Sequence, residues 1–251
     1  MTRYSFVNSP GPGGNLGDDL GDVWERVLGT QPDPPWQVVL ATAAAALAIV
    51  AYRPAWRVAR NVVTIAHEGG HALVAVLTGR TLTGIRLHSD TSGVTVSKGR
   101  PTGPGMVATA FSGYVTPSAL GFLGAWLLAA GHVTALLWIM MALLLAMLVM
   151  IRNVFGIVSL LVTGGAVFLV SWYAPAQVQG AFAYLGVWFL LFGGVRPVFE
   201  LRSKRRRGRA RDSDADQLAR LTPVPAVLWV GSFAILALAA LIAGGRWLVA
   251  G

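Results

Sequence analysis

The chain has 251 residues, 55% of them hydrophobic and only 12% charged, with a mean hydropathy of +0.61. A soluble domain carries about twice that share of charge, so the composition argues for a membrane protein and against a soluble enzyme. There is no cysteine, which excludes disulfides and thiolate metal sites. The net charge is +9, but the basic residues gather at the ends of apolar runs, where membrane proteins place them, rather than on a nucleic-acid-binding face.

Residues 1–35 read as a flexible tail, rich in glycine and proline and without the pattern of a signal peptide. A short amphipathic helix fits residues 19–28. Residues 36–251 read as one integral membrane domain. The expected fold is an all-α polytopic bundle of about six or seven transmembrane helices with a small β-hairpin insert. The apolar runs are 36–52, 58–77, 105–130, 133–151, 154–172, 178–199 and 224–249. Arg152-Asn153 separates the fourth and fifth, as a tight interfacial turn or as a polar pair within the protein.

Two polar inserts interrupt the runs. In 80–104, alternation at Thr81, Thr83, Ile85 and Leu87, then Val94 and Val96, around Ser89–Gly93 predicts a β-hairpin. The insert 201–222 carries the basic cluster from Arg202 to Arg211, which predicts a cytoplasmic loop. Counting spans back puts the hairpin on the same side. It also puts Arg53, Arg57 and Arg60 on the opposite side, against the same rule, so either one span is re-entrant or the first linker breaks the rule.

The chemistry centres on His67-Glu68-Gly69-Gly70-His71 in the second run. Histidines four apart stand one helical turn apart on one face, so both imidazoles reach one ion. A glutamate beside the first histidine can hold a metal-activated water and take its proton, as in zinc peptidases. Ionisable groups within an apolar helix are costly and read as functional.

A hydrolytic zinc takes three protein ligands and a water. The third must come from few residues. Asp18, Asp19, Asp22, Glu25 and Asp33 lie in the tail. His132 ends the third span, away from the basic cluster. His88 and Asp90 fit a hairpin turn, and Glu200 beside Arg196 and Arg202 fits an ion pair. Asp212, Asp214 and Asp216 precede the last span, where Ser213 can cap a helix. These acids fit a ligand role and equally fit the preference of a helix N-terminus for negative charge. The two uses are compatible, and the choice among Asp214, Asp216 and Glu200 stays open.

These features resemble the site-2 protease family of intramembrane zinc metallopeptidases. The resemblance rests on the His67–His71 motif and on Gly79-Arg80-Thr81 through Ser92-Gly93-Val94 just after it. Ser213-Asp214-Ala215 is similar to a smaller bacterial and fungal branch of that family. The resemblance implies zinc bound by His67, His71 and Asp214, Glu68 as general base and acid, and regulated intramembrane proteolysis. One departure is plain. Better-known members carry an Asn-x-x-Pro-x-x-x-Leu-Asp-Gly segment that supplies the aspartate ligand. Here Asn153-Val154-Phe155-Gly156 lacks both its proline and its aspartate.

The expected function is therefore a zinc metalloendopeptidase of membrane proteins. Zn2+ is its cofactor, a membrane-protein substrate and the lipid bilayer are its partners, and nucleic acid is not. The expected location is the plasma (inner) membrane of a bacterium. A metal-binding, non-proteolytic scaffold is the alternative, although it has no need of Glu68. A transporter would need further intramembrane charges that the chain lacks. Arg152, Asn153 and Arg196 are candidate oxyanion stabilisers. The hairpin offers strand edges to an extended substrate, although a simple connection explains it more readily. Gly69-Gly70, Gly164-Gly165 and Gly193-Gly194 predict close helix packing. Thr109, Ser112, Thr116 and Ser118 line a water path or bond between helices.

Overall fold

The structure, a computed structural model, describes residues 29–208 and 212–250. The expected helix at 19–28 and most of the tail lie outside the described residues, as do three residues of the basic insert. Eight helices and one two-stranded sheet follow in order. They are α1 (Trp36–Ala51), α2 (Arg53–Leu77), β1 (Thr81–Leu87), β2 (Gly93–Lys98), α3 (Pro104–Ala129), α4 (Val133–Met150), α5 (Val154–Tyr173), α6 (Ala176–Arg206), α7 (Asp214–Leu221) and α8 (Ala226–Ala250). The fold is the expected all-α membrane bundle with a hairpin.

Five helices, α3 to α6 and α8, are long and apolar enough to cross a membrane, and the bent pair α1–α2 makes up to a sixth. The run 58–77 is not a separate crossing. Proline at the start of α2 has no N–H to continue the ladder of α1, and Tyr52 is extended, so the chain turns by 101° there. The first turns of α2 meet the C-terminal part of α6, where Arg60 pairs with Glu200 at 3.2 Å. Its last turn meets the start of α3, where a Cβ on Gly105 would lie 3.2 Å from Thr78. Both regions adjoin one apolar cluster that joins Ala110 of α3, Val198 and Leu201 of α6, Ala215 and Leu218 of α7, and Ala226 of α8. Both ends of α2 therefore lie at one end of the bundle. Every described Lys and Arg except Arg246 lies toward that end. This removes the conflict over Arg53, Arg57 and Arg60. At the opposite end, Trp36, Trp126, Trp172 and Tyr173 are exposed, as an interfacial belt would be.

The hairpin pairs β1 and β2 antiparallel, with Ile85 opposite Thr95 and Leu87 opposite Gly93. The turn between α4 and α5 closes the other edge of β1. Ile151 bridges Ile85 in parallel, Arg152 N–H donates to Ile85 O at 2.9 Å, and the Asn153 amide donates to Leu87 O at 2.6 Å while accepting from Leu87 N–H at 3.2 Å. Arg152-Asn153 is thus a turn, and one that anchors the sheet. Ile85 and Leu87 bury against Ile65, Ala72, Met147, Ile151 and Leu160. The outer edge of β2 has no strand partner among the described residues. At the tip, Thr91 takes a left-handed φ of 65°, a costly conformation for a β-branched residue. Its carbonyl accepts from Thr64 Oγ1 of α2 at 2.8 Å, which ties the hairpin back onto α2.

Close packing falls where glycines predict it in two of three pairs. A Cβ on Gly70 would overlap Thr116, and one on Gly194 would overlap Ser118. Gly165 differs, meeting nothing within 4 Å. The hydroxyls of Thr109, Ser112 and Thr116 donate within α3, to the carbonyls of Gly105, Thr109 and Ser112. In an apolar setting the nearest free acceptor lies one turn back on the same helix, so these groups do not bond across helices.

Candidate metal centre

The periodicity of α2 sets His67 and His71 edge-on, with ring centroids 4.7 Å apart. His71 Nδ1 lies 2.7 Å from Thr109 O of α3. A carbonyl only accepts, so Nδ1 carries the proton and Nε2 presents its lone pair. That Nε2 lies 3.1 Å from Nε2 of His67. Asp214 Oδ2 lies 3.2 Å from His67 Nε2 and 3.3 Å from His71 Nε2. This oxygen is buried and has no hydrogen-bond partner among the described residues. Electron-rich atoms at such distances repel unless a proton or a cation lies among them. Ligands about 2.0–2.1 Å from a tetrahedral zinc stand about 3.3–3.4 Å apart, so the triangle has the dimensions of three zinc ligands. Two imidazoles and one carboxylate are also the donor set of a hydrolytic zinc. The residues fit the ion.

Asp214 reaches the histidines because α7 is fixed twice. Ser213 caps the helix, accepting from Asp216 N–H, while Asp216 Oδ2 accepts from Ser213 N–H at 3.2 Å and from its hydroxyl at 2.5 Å. The other oxygen of Asp216 pairs with Arg205 at the end of α6. On the opposite face, Ala215 and Leu218 are fully buried. Burial alone would raise the Asp214 carboxyl, but positive charge on the His71 and His67 imidazoles, standing in place of an ion, outweighs it and holds the group below the usual carboxylate range. Asp214 thus occupies the helix start and also faces the histidines, the two uses that the sequence left open. Asp216 is committed to Arg205 and Ser213. Glu200 is committed to Arg60, Arg196 and Trp56.

Glu68 is 4% exposed and lies under the hairpin. Thr95 of β2 donates its hydroxyl to Glu68 Oε2 at 2.6 Å. A Cβ on Gly93 would stand 2.5 Å from Glu68 Cγ and 2.6 Å from Oε1. The backbone of β2 therefore presses on this carboxylate without a side chain between them. On the other side α3 approaches through Gly113, where a Cβ would overlap His71 and lie 2.7 Å from His67 Cε1. Tyr114 meets the His67 ring edge-on at 4.9 Å.

Thr95, Gly93, Gly113 and the Thr109 carbonyl were not singled out for these roles from the sequence. One signal was available. Val94 and Val96 point outward, which sends Thr95 and Gly93 to the inner face. The three candidate oxyanion stabilisers are engaged elsewhere: Asn153 with Leu87, Arg152 with the carbonyls of Val149 and Ile151, and Arg196 with Glu200.

Apolar helices around a half-buried His–His–Asp cluster, with an acid next to the first histidine, have the architecture of a membrane metallopeptidase. The chain belongs to the Peptidase M50B-like family, whose model matches residues 40–244, and so to the site-2 protease family of intramembrane metallopeptidases. The match takes in His67, Glu68, His71 and Asp214. Neither a curated protein nor a solved structure matches the chain.

Proposed function

We propose that this protein is an intramembrane zinc endopeptidase that hydrolyses peptide bonds of membrane proteins near the basic end of its bundle. The observation that carries the proposal is the convergence of His67 Nε2, His71 Nε2 and Asp214 Oδ2 to within 3.1–3.3 Å of one another. Zinc held by these three atoms would supply Lewis acidity, lowering the pKa of water toward about 7 and polarising the scissile carbonyl. Glu68 accepts the proton of the attacking water and passes it to the departing amine. Thr95 fixes one oxygen of that carboxylate, leaving the other for proton transfer. Thr109 O holds His71 in the tautomer that ligation requires. The unpartnered outer edge of β2, beside Glu68, supports an extended substrate segment lying along it.

The gathering of cations at one end supports a cytoplasmic position for the metal centre. That orientation fits the plasma membrane of a bacterium and the release of a cytoplasmic fragment in regulated proteolysis. The test is Glu68→Gln in the purified full chain, with zinc content and cleavage of a membrane-protein substrate measured together. The expected result is zinc bound as in wild type with hydrolysis abolished. Undiminished hydrolysis by this variant overturns the mechanism.

A further inference from the structure

A second concavity lies away from the metal centre, where the start of α2 crosses the C-terminal part of α6. It has a volume of about 550 Å³ and is walled by Arg53, Trp56, Arg57 and Arg60 on one side and by Arg196, Glu200 and Lys204 on the other. Five cations face one carboxylate, an excess of four positive charges.

The carboxylate is part of the wall. Glu200 Oε1 accepts from Trp56 Nε1 at 2.9 Å and from Arg196 Nε at 3.0 Å, and Oε2 pairs with Arg60 at 3.2 Å. The Arg196 guanidinium also lies 4.8 Å over the Trp56 ring. These contacts lock the floor of the cavity and use up its one acid. Arg53, Arg57 and Lys204 at the rim are exposed and have no carboxylate within ion-pairing distance among the described residues. The N-terminus of the 25-residue helix α2 opens at the same rim, its N-cap residue Tyr52 making no side-chain cap. Its first-turn N–H groups add positive potential there. A concave wall of one sign focuses that potential.

The surroundings narrow the ligand. Tyr52 and Val58 are largely exposed on either side of the rim, as side chains at the border of headgroups and acyl chains are. We infer that this cavity binds a phosphate-bearing anion, with Arg53, Arg57 and Lys204 as its ligands and the Glu200-locked Arg60, Arg196 and Trp56 as its floor. Basic pockets between membrane helices on the positive side take lipid headgroups in this way. A lipid phosphodiester and a free phosphate share the chemistry.

The two sources are separated by titrating the full-length protein in neutral detergent. The probes are dihexanoyl phosphatidylglycerol, dihexanoyl phosphatidylcholine and inorganic phosphate, with bound ligand counted by native mass spectrometry. Phosphatidylglycerol should bind saturably and more tightly than phosphatidylcholine. One rim cation contributes roughly a factor of five, so Arg53→Gln with Arg57→Gln should weaken binding about 30-fold, and Arg246→Gln at the other end should change nothing. Failure of inorganic phosphate to displace the lipid assigns the site to a headgroup, and displacement assigns it to a small anion. Both results uphold the site. Equal affinity for the two lipids, or equal retention of phosphatidylglycerol by wild type and the double variant, overturns it. Zinc content and Tm of the double variant serve as the folding control, since neither arginine takes part in an ion pair among the described residues.

Discussion

Replacing Gly93 with alanine separates the role of the hairpin from that of the metal ligands. The new methyl would stand 2.5 Å from Glu68 Cγ, 2.6 Å from Oε1 and 2.8 Å from Cδ. Ordinary carbon contacts are about 3.5–4.0 Å, so the carboxylate must retreat by about 1 Å. Little room exists for that retreat. Glu68 is buried, and Thr95 holds its other oxygen at 2.6 Å. The backbone raises no objection, because Gly93 does not occupy the left-handed region. Overpacking of this kind costs about 1–3 kcal/mol of stability, which the fold should survive. A misplacement near 1 Å lowers turnover about 100-fold. The assay is kcat on a membrane-protein substrate in detergent, with zinc stoichiometry measured on the same samples. The expected outcome is kcat down about 100-fold with zinc retained. Wild-type turnover would show that Glu68 does not work from under β2. Parallel loss of zinc would show that the hairpin supports the metal rather than the base.

Gly113→Ala should do the converse, because its methyl overlaps the rings of His71 and His67. Most of the zinc should be lost, read by metal analysis of the purified protein. Thr95→Val removes a hydrogen bond to a charged group and should lower kcat about tenfold or more, with zinc unchanged and Thr95→Ser restoring turnover. Asp216→Asn breaks the capping box and the Arg205 pair. It should cost about 1 kcal/mol in thermal unfolding and weaken zinc binding about tenfold through Asp214.

What the sequence carried most clearly was local. His67, Glu68 and His71 lie within five residues on one helix, so helical periodicity alone brings the two imidazoles together. The hairpin was legible because Ile85, Leu87, Val94 and Val96 alternate about a turn. Elimination narrowed the third ligand to the acids from Asp212 to Asp216 because the chain has so few acids and Ser213 marks a helix start, and the family resemblance pointed to Asp214 among them. The rest depends on how helices meet. Thr95 meets Glu68 across 27 positions, and which glycine of α3 faces the histidines depends on the rotation of that helix. Asn153 was weighed for an oxyanion because it ends a span, yet its amide found the open edge of β1. Pro54 announced a break after α1, but no local rule gives the direction of the helix that follows, and that direction removed one span from the count.

The same turn bears on how the chain is made. A cation carried through the centre of a bilayer costs about 2.5–3.5 kcal/mol even in the most forgiving measurements. Arg53, Arg57 and Arg60 would incur that cost three times over in a helix that had to be threaded across during synthesis. Because α2 returns to the end of the bundle where it begins, the cytoplasmic orientation proposed above would spare these arginines and the two motif histidines from translocation. Hairpin and Asp214 stay on that side too. Of the described basic residues, only Arg246 would then have to be carried across.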